Sequence, residues 1–325
     1  MPTRLHRFIV AACVALAAAC ATQAHARVAG GKPVSLIVSY PVGGGADLMA
    51  RLIAPRMSEA LGQTVIVENK PGAGGQVAGA YVAKAAADGA TLLFDASSYA
   101  VTPSLYAHMA YDPSQAFTPI AVLALFPNVL VVHPPFAAAS VRDVVTAAKA
   151  RPGAIAFASS GNGSAQHLAG ALFEDLAQID LLHVPYRGGG PALSDVIGGQ
   201  VPLFFANLAS SLSHIQSGRL RAVAVTSRKR SPALPAVPTM EEAGITGYEV
   251  HEWNPLLAPA GIDADTRRQL IAAVAHAMAS PEVQDRIRSL GGEPFAGDAT
   301  QAQAFLREQQ QLWAGIVRRH HIKVE

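Results

Sequence analysis

Four glycine-rich turns carry the clearest chemical signal in this sequence of 325 residues. Each lies between a β-rich run and a helical pattern: "PVGGGAD" (Pro41–Asp47), "KPGAGGQ" (Lys70–Gln76), "SSGNGSAQH" (Ser159–His167) and "YRGGGPA" (Tyr186–Ala192). At such a turn the unpaired N–H groups of a helix start meet the positive end of the helix dipole. Each turn is therefore a candidate anion site, although glycine turns also serve as packing devices.

The turns lack the spacing of nucleotide-binding motifs. No G-x-x-x-x-G-K-[ST] occurs, and "GGGADL" and "GNGSAQ" both lack the last glycine of G-x-G-x-x-G. The serine-hydrolase pattern G-x-S-x-G is absent around Ser160 and Ser164. An enzyme that acts on a carboxylate through Ser164 and His167 stays open as an alternative, although no partner carboxylate is evident.

The elements that position these turns alternate between strands and helices. The strand-like runs are "SLIVSY", "TVIVE", "TLLFDAS", "NVLVVH", "AIAFASS", "LLHVPY", "PLFFAN" and "RAVAVTS", and helical spacing follows at Asp47–Leu61 and Ser164–Ala177. This alternation predicts parallel sheets covered by helices. One sheet of so many strands would be wide, so we expect two smaller sheets. Pro55 predicts a kink or a restart in the first helix.

The first 26 residues have the pattern of an export signal. Arg4 and Arg7 precede an apolar run from Phe8 to Ala21, and Ala24 and Ala26 form an A-x-A arrangement, so we expect cleavage after Ala26. The run is shorter than the ~20 residues that span a bilayer. Both cysteines, Cys13 and Cys20, lie in this segment, and acylation of Cys20 is an alternative. A mature chain without cysteine suits an oxidising compartment.

The composition indicates a soluble globular chain, 50% hydrophobic and 15% charged. Removing the signal takes Arg4 and Arg7 from the 25 basic residues and leaves them equal to the 23 acids. The mature chain therefore lacks the basic excess of nucleic-acid-binding proteins. The tail is helical by pattern, with caps expected at Asp265, Ser280 and Asp298 or Thr300. Adjacent His320 and His321 face different ways on a helix, which favours polar surface over a metal site.

Several ordered motifs resemble the substrate-binding proteins of tripartite tricarboxylate transporters, the Bug family. The first is "YPVGGGADLMARLIAPRMSEALGQTVIVENKPGAGG", and "ADGATLLF", "SSGNGSAQHLAGALF", "VPYRGGGPALSDVIGGQV", "GRLRAVAVTSRKRSPALPAVPTMEEAG" and "LLAPAG" follow in order. The resemblance covers nearly the whole mature chain. It implies an α/β fold, a type II-like periplasmic-binding-protein clamshell whose two domains are mainly parallel sheets flanked by helices. We expect residues 27–126 and 250–325 to form one domain and 127–249 the other, with crossings near Leu125–Asn128 and Glu249–Trp253.

The resemblance also implies which residues bind the ligand, a small carboxylate held in the interdomain cleft by backbone amides and ordered waters. The expected residues are Tyr40, Pro41, Gly43, Gly44, Gly45, Ala46 and Asp47; Ser97; Ser159, Ser160, Gly161, Asn162, Gly163, Ser164 and His167; Tyr186, Arg187, Gly188 and Gly189; and Asn207. Because a carboxylate would repel an anion, Asp47 is expected to be the helix N-cap instead of a ligand contact. Arg187 pairs with a second ligand carboxylate or lies in solvated surface.

Three positions depart from the family pattern. Ala46 and Ala165 stand where the family commonly has a hydroxyl residue, and Ala206 stands where it often has an acid. We expect the loss of these groups to leave a less acidic, less hydroxylated cleft that suits a more apolar or aromatic acid.

The sequence thus predicts a periplasmic, monomeric receptor that captures a small organic carboxylate, without metal, cofactor or nucleic acid. Its expected partners are the membrane subunits of a tripartite transporter or a sensor kinase. The enzyme that uses Ser164 and His167 is one alternative. The other is a structural surface protein whose four loops bind nothing.

Overall fold

The computed structural model describes residues 27–106, 108–319 and 322. The expected signal segment with Cys13 and Cys20 lies outside the described residues, as do His320 and His321. Within the described residues no helix is long and apolar enough to cross a membrane. No group of three His, Cys, Asp or Glu side chains there could hold a metal ion.

Strands and helices alternate through most of the described chain. The strands are β1 (Val34–Val38), β2 (Val65–Asn69), β3 (Thr91–Phe94), β4 (Phe117–Val132), β5 (Ala156–Ser159), β6 (Leu182–Pro185), β7 (Leu203–Asn207), β8 (Arg221–Val225), β9 (His251–Pro259) and β10 (Glu293–Pro294). The α-helices are α1 (Gly45–Leu61), α2 (Gln76–Ala83), α3 (Ser98–Leu105), α4 (Val141–Ala150), α5 (Ala165–Ala177), α6 (Gly189–Ile197), α7 (Leu208–Gln216), α8 (Ala264–Ala279), α9 (Pro281–Ser289) and α10 (Ala299–Arg319). Short 3-10 turns occur at Val28–Gly31 and Ala73–Gly75.

The strands form two sheets that share β4. The order is β2-β1-β3-β9-β4-β7-β5-β6, and β8 and β10 also pair with β4. Residues 117–127 of β4 pair with β9 in what we call the first sheet, and residues 128–132 pair with β7 and β8 in the second sheet. The change of partner falls between Pro127 and Asn128.

The sheets are mixed, which corrects the expectation of mainly parallel sheets. The pairs β1·β2, β1·β3, β5·β6 and β5·β7 are parallel, whereas every pair that involves β4 or β9 is antiparallel. Parallel pairing therefore comes from the βαβ units, where a helix returns the chain to the same end of the sheet. Strands β4 and β9, in contrast, run antiparallel to their neighbours.

Apolar side chains fill the space between the sheets and their helices. Leu36, Phe94 and Ile53 of α1 belong to a buried cluster on the first sheet, and Val129, Phe204 and Leu208 belong to one on the second. The tail returns to the first sheet. Phe305 of α10 meets Trp253 of β9 edge to face, with ring centroids 5.3 Å apart.

Helix α1 continues through Pro55 from Gly45 to Leu61, so the expected restart is wrong. Pro55 is exposed, and water can therefore satisfy the carbonyl that loses its helical partner. The cap of α8 is Asp263, not Asp265, because Asp263 Oδ1 accepts from the amides of Asp265 and Thr266. Ser280 caps α9 by position, and Asp298 accepts from the amides of Thr300 and Gln301.

Candidate functional site

Two adjoining cavities lie where the loops of the two sheets meet. The inner cavity, about 20 Å³, is lined by Tyr40, Gly44, Gly45, Ala46, Ser160, Gln166, Gly189, Asn207, Ser210 and Glu252. The outer cavity, about 220 Å³, is lined by Ser39, Tyr40, Pro41, Pro71, Gly72, Ala73, Gly74, Gly75, Tyr106, Ser160, Gly161, Asn162, Pro185, Tyr186 and Arg187. Tyr40 and Ser160 line both cavities, so a ligand can extend from one into the other.

Helix starts from both sheets converge on the inner cavity. Gly44 and Gly45 begin α1, Gly189 begins α6, and Asn207 is the N-cap of α7. First-turn N–H groups have no acceptor within their own helix, and the helix dipole favours a negative charge beside them. The inner cavity is therefore suited to an anionic group.

The loop before α1 uses two of its amides to hold its own shape. The amide of Gly43 donates to Asp47 Oδ2 at 3.0 Å, and the amide of Gly44 donates to the Pro41 carbonyl at 3.3 Å. The N–H groups of Gly45 and Ala46 follow in the first turn, where the helix supplies no acceptor. These two amides are the better candidates for a ligand carboxylate.

Asp47 fixes this loop from inside the helix, which corrects its expected role as N-cap. The N-cap position is Gly44. Asp47 also accepts from Arg51 Nε at 3.0 Å and from Asn69 Nδ2 at 2.9 Å. Burial raises the pKa of Asp47, but the hydrogen bonds from Arg51, Gly43 and Asn69 outweigh it and hold the pKa below its usual value.

The loop before α5 is tied together in the same way. Ser159 Oγ accepts from the amide of Gly161 at 3.1 Å, and His167 Nδ1 accepts from the amide of Gly163 at 3.1 Å. Ser164 caps α5, because its Oγ accepts from the backbone amide of His167 at 3.2 Å. The loop is thus rigid, and it presents Ser160 to both cavities.

The Ser164 and His167 side chains do not form a catalytic dyad. The Oγ of Ser164 is bound to a backbone amide, and the imidazole of His167 stacks on His183 with ring centroids 4.1 Å apart. Burial lowers the pKa of His167 to about 4 and, with the nearby His167, that of His183 to about 3. His183 Nε2 lies 2.7 Å from Ser159 Oγ. This pair therefore supports the loop as neutral rings.

Several other expected ligand residues lie outside the lining of both cavities. They are Gly43, Asp47, Ser97, Ser159, Gly163, Ser164, His167 and Gly188. Ser97 precedes α3 and is buried, and its Oγ has no hydrogen-bond partner among the described residues. The remaining expected residues are brought together at the cleft.

Glycine allows the two loop sets to touch across the cleft. Gly188 has φ +120°, and a Cβ there would overlap the ring of Pro41. A Cβ on Gly45 would lie 2.9 Å from Asn207 Cγ and 3.0 Å from Glu252 Oε1, and one on Gly74 would lie 3.0 Å from the Asn162 carbonyl. The loops on the two sides of the cleft are thus in direct contact at these glycines.

Glu252 is a buried acid in the inner cavity that the sequence did not reveal. Only 6% of the residue is exposed. Its Oε2 accepts from Gln166 Nε2 at 2.5 Å, and the same nitrogen donates to Asn128 Oδ1 at 2.9 Å. Burial raises the pKa of Glu252, opposed in part by the side-chain amides of Gln166 and Asn207.

Two amide nitrogens near Glu252 have unused donor capacity. Within the described part of the chain, Nδ2 of Asn128 and Nδ2 of Asn207 are buried and make no well-formed hydrogen bond. Asn207 also lines the inner cavity. Nδ2 of Asn207 acts on the Glu252 carboxyl without forming a well-aligned hydrogen bond to it. A poorly satisfied buried donor is costly, so Asn207 is a group that a bound ligand would satisfy.

Asp95 is a second buried acid, behind the outer cavity. Its side chain accepts from Ser39 Oγ, from the Ala96 amide at 2.8 Å and from Ser98 Oγ at 3.3 Å. Burial raises its pKa to about 6, although these hydrogen bonds oppose the shift. Ser39 lines the outer cavity, so the acid lies one side chain away from a bound ligand.

The three departures from the family pattern have different positions. Ala46 lines the inner cavity, so a hydroxyl is missing there. Ala165 is buried at the start of α5. Ala206 lies in the apolar cluster of the second sheet with Val129 and Ala158. The inner cavity nevertheless contains an acidic group, the carboxyl of Glu252.

The outer cavity combines phenol rings with one cation. Tyr186 donates to Asp195 Oδ2 at 2.7 Å, and burial followed by this bond raises its pKa to about 12. Arg187 is exposed at the same rim. The "KPGAGGQ" turn supplies another wall, although it was not among the expected ligand residues.

Known proteins resemble this chain over nearly its full length. The family described as "Tripartite tricarboxylate transporter family receptor" matches residues 49–322. Protein BugT of Bordetella pertussis is 37% identical over 296 residues, which cover 90% of this chain and 91% of that protein.

Two solved structures that contain carboxylates share the fold. One is R. palustris Rpa4515 with adipate, with a TM-score of 0.87 and 35% identity, covering 90% of this chain and 98% of that one. The other is MatC (Rpa3494) from Rhodopseudomonas palustris with bound malate, with a TM-score of 0.83 and 30% identity, covering 88% and 99%.

Proposed function

The chain belongs to the tripartite tricarboxylate transporter receptor family, and on that premise we propose that its cleft captures a small organic carboxylate by backbone amides. The resemblance seen in the sequence is thereby confirmed, as is the clamshell fold of periplasmic binding proteins. In this proposal residues 27–126 and 250–325 form one domain and 127–249 the other. The ligand lies between them and holds them closed.

One observation carries the proposal: the starts of α1, α6 and α7 meet at one small cavity. A carboxylate there accepts charge-assisted hydrogen bonds without a basic side chain. The N–H groups of Gly45 and Ala46 come from one side of the cleft, and Ser160, Gly189 and Asn207 come from the other. A ligand that contacts both sides stabilises the closed state in proportion to its preference for that state.

Location and partners complete the proposal. Members of this family are periplasmic binding proteins, and residues 1–26 are proposed to be a signal that is removed after Ala26. We propose that the mature receptor is a monomer that delivers its ligand to the membrane subunits of a tripartite transporter or to a sensor kinase. Mass spectrometry of the mature amino terminus distinguishes cleavage after Ala26 from acylation of Cys20.

A thermal-shift screen of organic acids tests the proposed function. A ligand at 100 times its dissociation constant stabilises the folded protein by about 2.7 kcal/mol, which is several degrees. The Gly45→Ala variant should lose most of the shift, because its Cβ meets Asn207 and Glu252. The matched control is Gly190→Ala, a first-turn glycine of α6 whose Cβ would meet its nearest neighbour, the Val42 carbonyl, at 3.8 Å. A screen in which no acid stabilises the wild type would contradict the proposal.

A further inference from the structure

The inner cavity combines features that a simple dicarboxylate does not use. It holds helix starts that favour an anion, and beside them the buried carboxyl of Glu252. No basic side chain occurs among the described residues that line it. The position of Oε1 is 3.0 Å from the point where a Cβ of Gly45 would lie. A ligand carboxylate on the Gly45 amide would therefore be a close neighbour of Glu252.

We propose that Glu252 makes this receptor select acids that carry an amino group next to the carboxylate, that is, 2-amino acids. This inference rests on the proposed function. The ligand carboxylate binds the amides of Gly45 and Ala46, and its ammonium group lies between that carboxylate and Glu252. The ligand carboxylate then faces the partial positive charge of the helix start, and the ligand ammonium faces the carboxyl of Glu252.

The size of the inner cavity fits this assignment. At about 20 Å³ the inner cavity has no room for a second ligand carboxylate beside the first. The side chain of the ligand would extend past Tyr40 and Ser160 into the outer cavity of about 220 Å³. The inner cavity thus binds the charged head group of the ligand, and the outer cavity holds the ligand side chain.

Within the described part of the chain the buried carboxyl of Glu252 has no cationic partner, which a ligand would supply. The groups that face it are neutral side-chain amides: Gln166, which it shares with Asn128, and Asn207. An unpaired buried carboxylate is costly, and a hydrogen-bonded cation offsets that cost. The two buried acids also act on Tyr40. Burial raises the pKa of its phenol, and the negative charges of Asp95 and Glu252 raise it further. A second ligand carboxylate near Glu252 would be repelled.

Calorimetry with matched acids tests the inference. The ligands are sets of three acids that share one side chain: the 2-amino acid, the 2-hydroxy acid and the unsubstituted acid. The side chains tested are small, branched, aromatic and acidic. The wild type is titrated with each set and with adipate and malate. For the side chain that binds most tightly, we expect the 2-amino acid to bind at least tenfold more tightly than either analogue. Glu252→Gln should remove most of that preference, so that the three acids bind with similar affinities.

The control is Glu241→Gln, an exposed acid away from both cavities, which should preserve the ranking. If Glu252→Gln does not fold, the relative affinities of the wild type for the 2-amino, 2-hydroxy and unsubstituted acids still test the inference. Unsubstituted, hydroxy or dicarboxylic acids that bind the wild type as tightly as the amino acid would overturn the inference and leave the proposed function intact. Binding of no acid at all would contradict the proposed function itself.

Discussion

Replacement of Asp95 by Asn should remove a pH-dependent loss of stability. Burial raises the pKa of Asp95 from 3.8 to about 6, so the folded protein keeps this proton over a pH range in which the unfolded chain has lost it. The contribution of Asp95 to stability is therefore complete below about pH 4 and is lost as the pH rises through about 6. A shift of about two units corresponds to about 3 kcal/mol.

The assay is urea unfolding of the wild type and of Asp95→Asn at pH 4.5 and pH 7.5. Comparison of the two proteins at each pH cancels the contributions of other buried groups, such as His167 and Glu252. We expect the variant to gain about 2 kcal/mol relative to wild type between pH 4.5 and pH 7.5, because the unfolded carboxyl is already mostly ionised at pH 4.5. Asp285→Asn, at an exposed position, should show no such gain. A wild-type-to-variant difference that is the same at both pH values would show that Asp95 does not titrate differently in the folded and unfolded protein.

Three further changes test the loops. Gly188→Ala places a methyl group against Pro41 and should weaken binding of the best acid at least tenfold by calorimetry, with a more open shape in small-angle scattering. Asp47→Ala leaves the Gly43 amide and Arg51 without their partner and should lower the free energy of unfolding by about 1–3 kcal/mol; in Asp47→Asn, which keeps an acceptor oxygen, the loss should be smaller. Ser164→Ala removes the cap of α5 and should cost about 1 kcal/mol in urea unfolding, and loss of a ligand-converting activity in this variant would argue against its structural role.

The parts of the cleft that follow from local chemistry could be predicted from the sequence. A glycine run between a strand and a helix determines where helix starts are exposed, and it identified Gly44, Gly45, Ser160 and Gly189 in the cavity lining. The same local logic does not tell which amides remain available. That depends on hydrogen bonds such as those of Gly43 and Gly163, which form only when the loop has folded.

The parts that depend on distant pairing could not be predicted. Glu252 meets Gln166 across 86 residues of sequence, and no local pattern marks either residue as a neighbour of the other. Strand β9 and the first part of β4 contain Pro255, Pro119 and Pro127, which usually argue against strands. Register shifts in the β4·β9 ladder accommodate the sequence around Pro119, and such irregularities are a property of the paired strands.

Calorimetric titration of the tightest-binding acid and of its primary amide tests whether the helix starts recognise a carboxylate. The amide has nearly the same shape, but it lacks the negative charge and turns an N–H₂ donor toward the N–H donors of the helix starts. A hydrogen bond to a charged group contributes roughly 1.5–3 kcal/mol, so the amide should bind at least tenfold more weakly. Equal affinities for the acid and the amide would contradict recognition of a carboxylate by these loops.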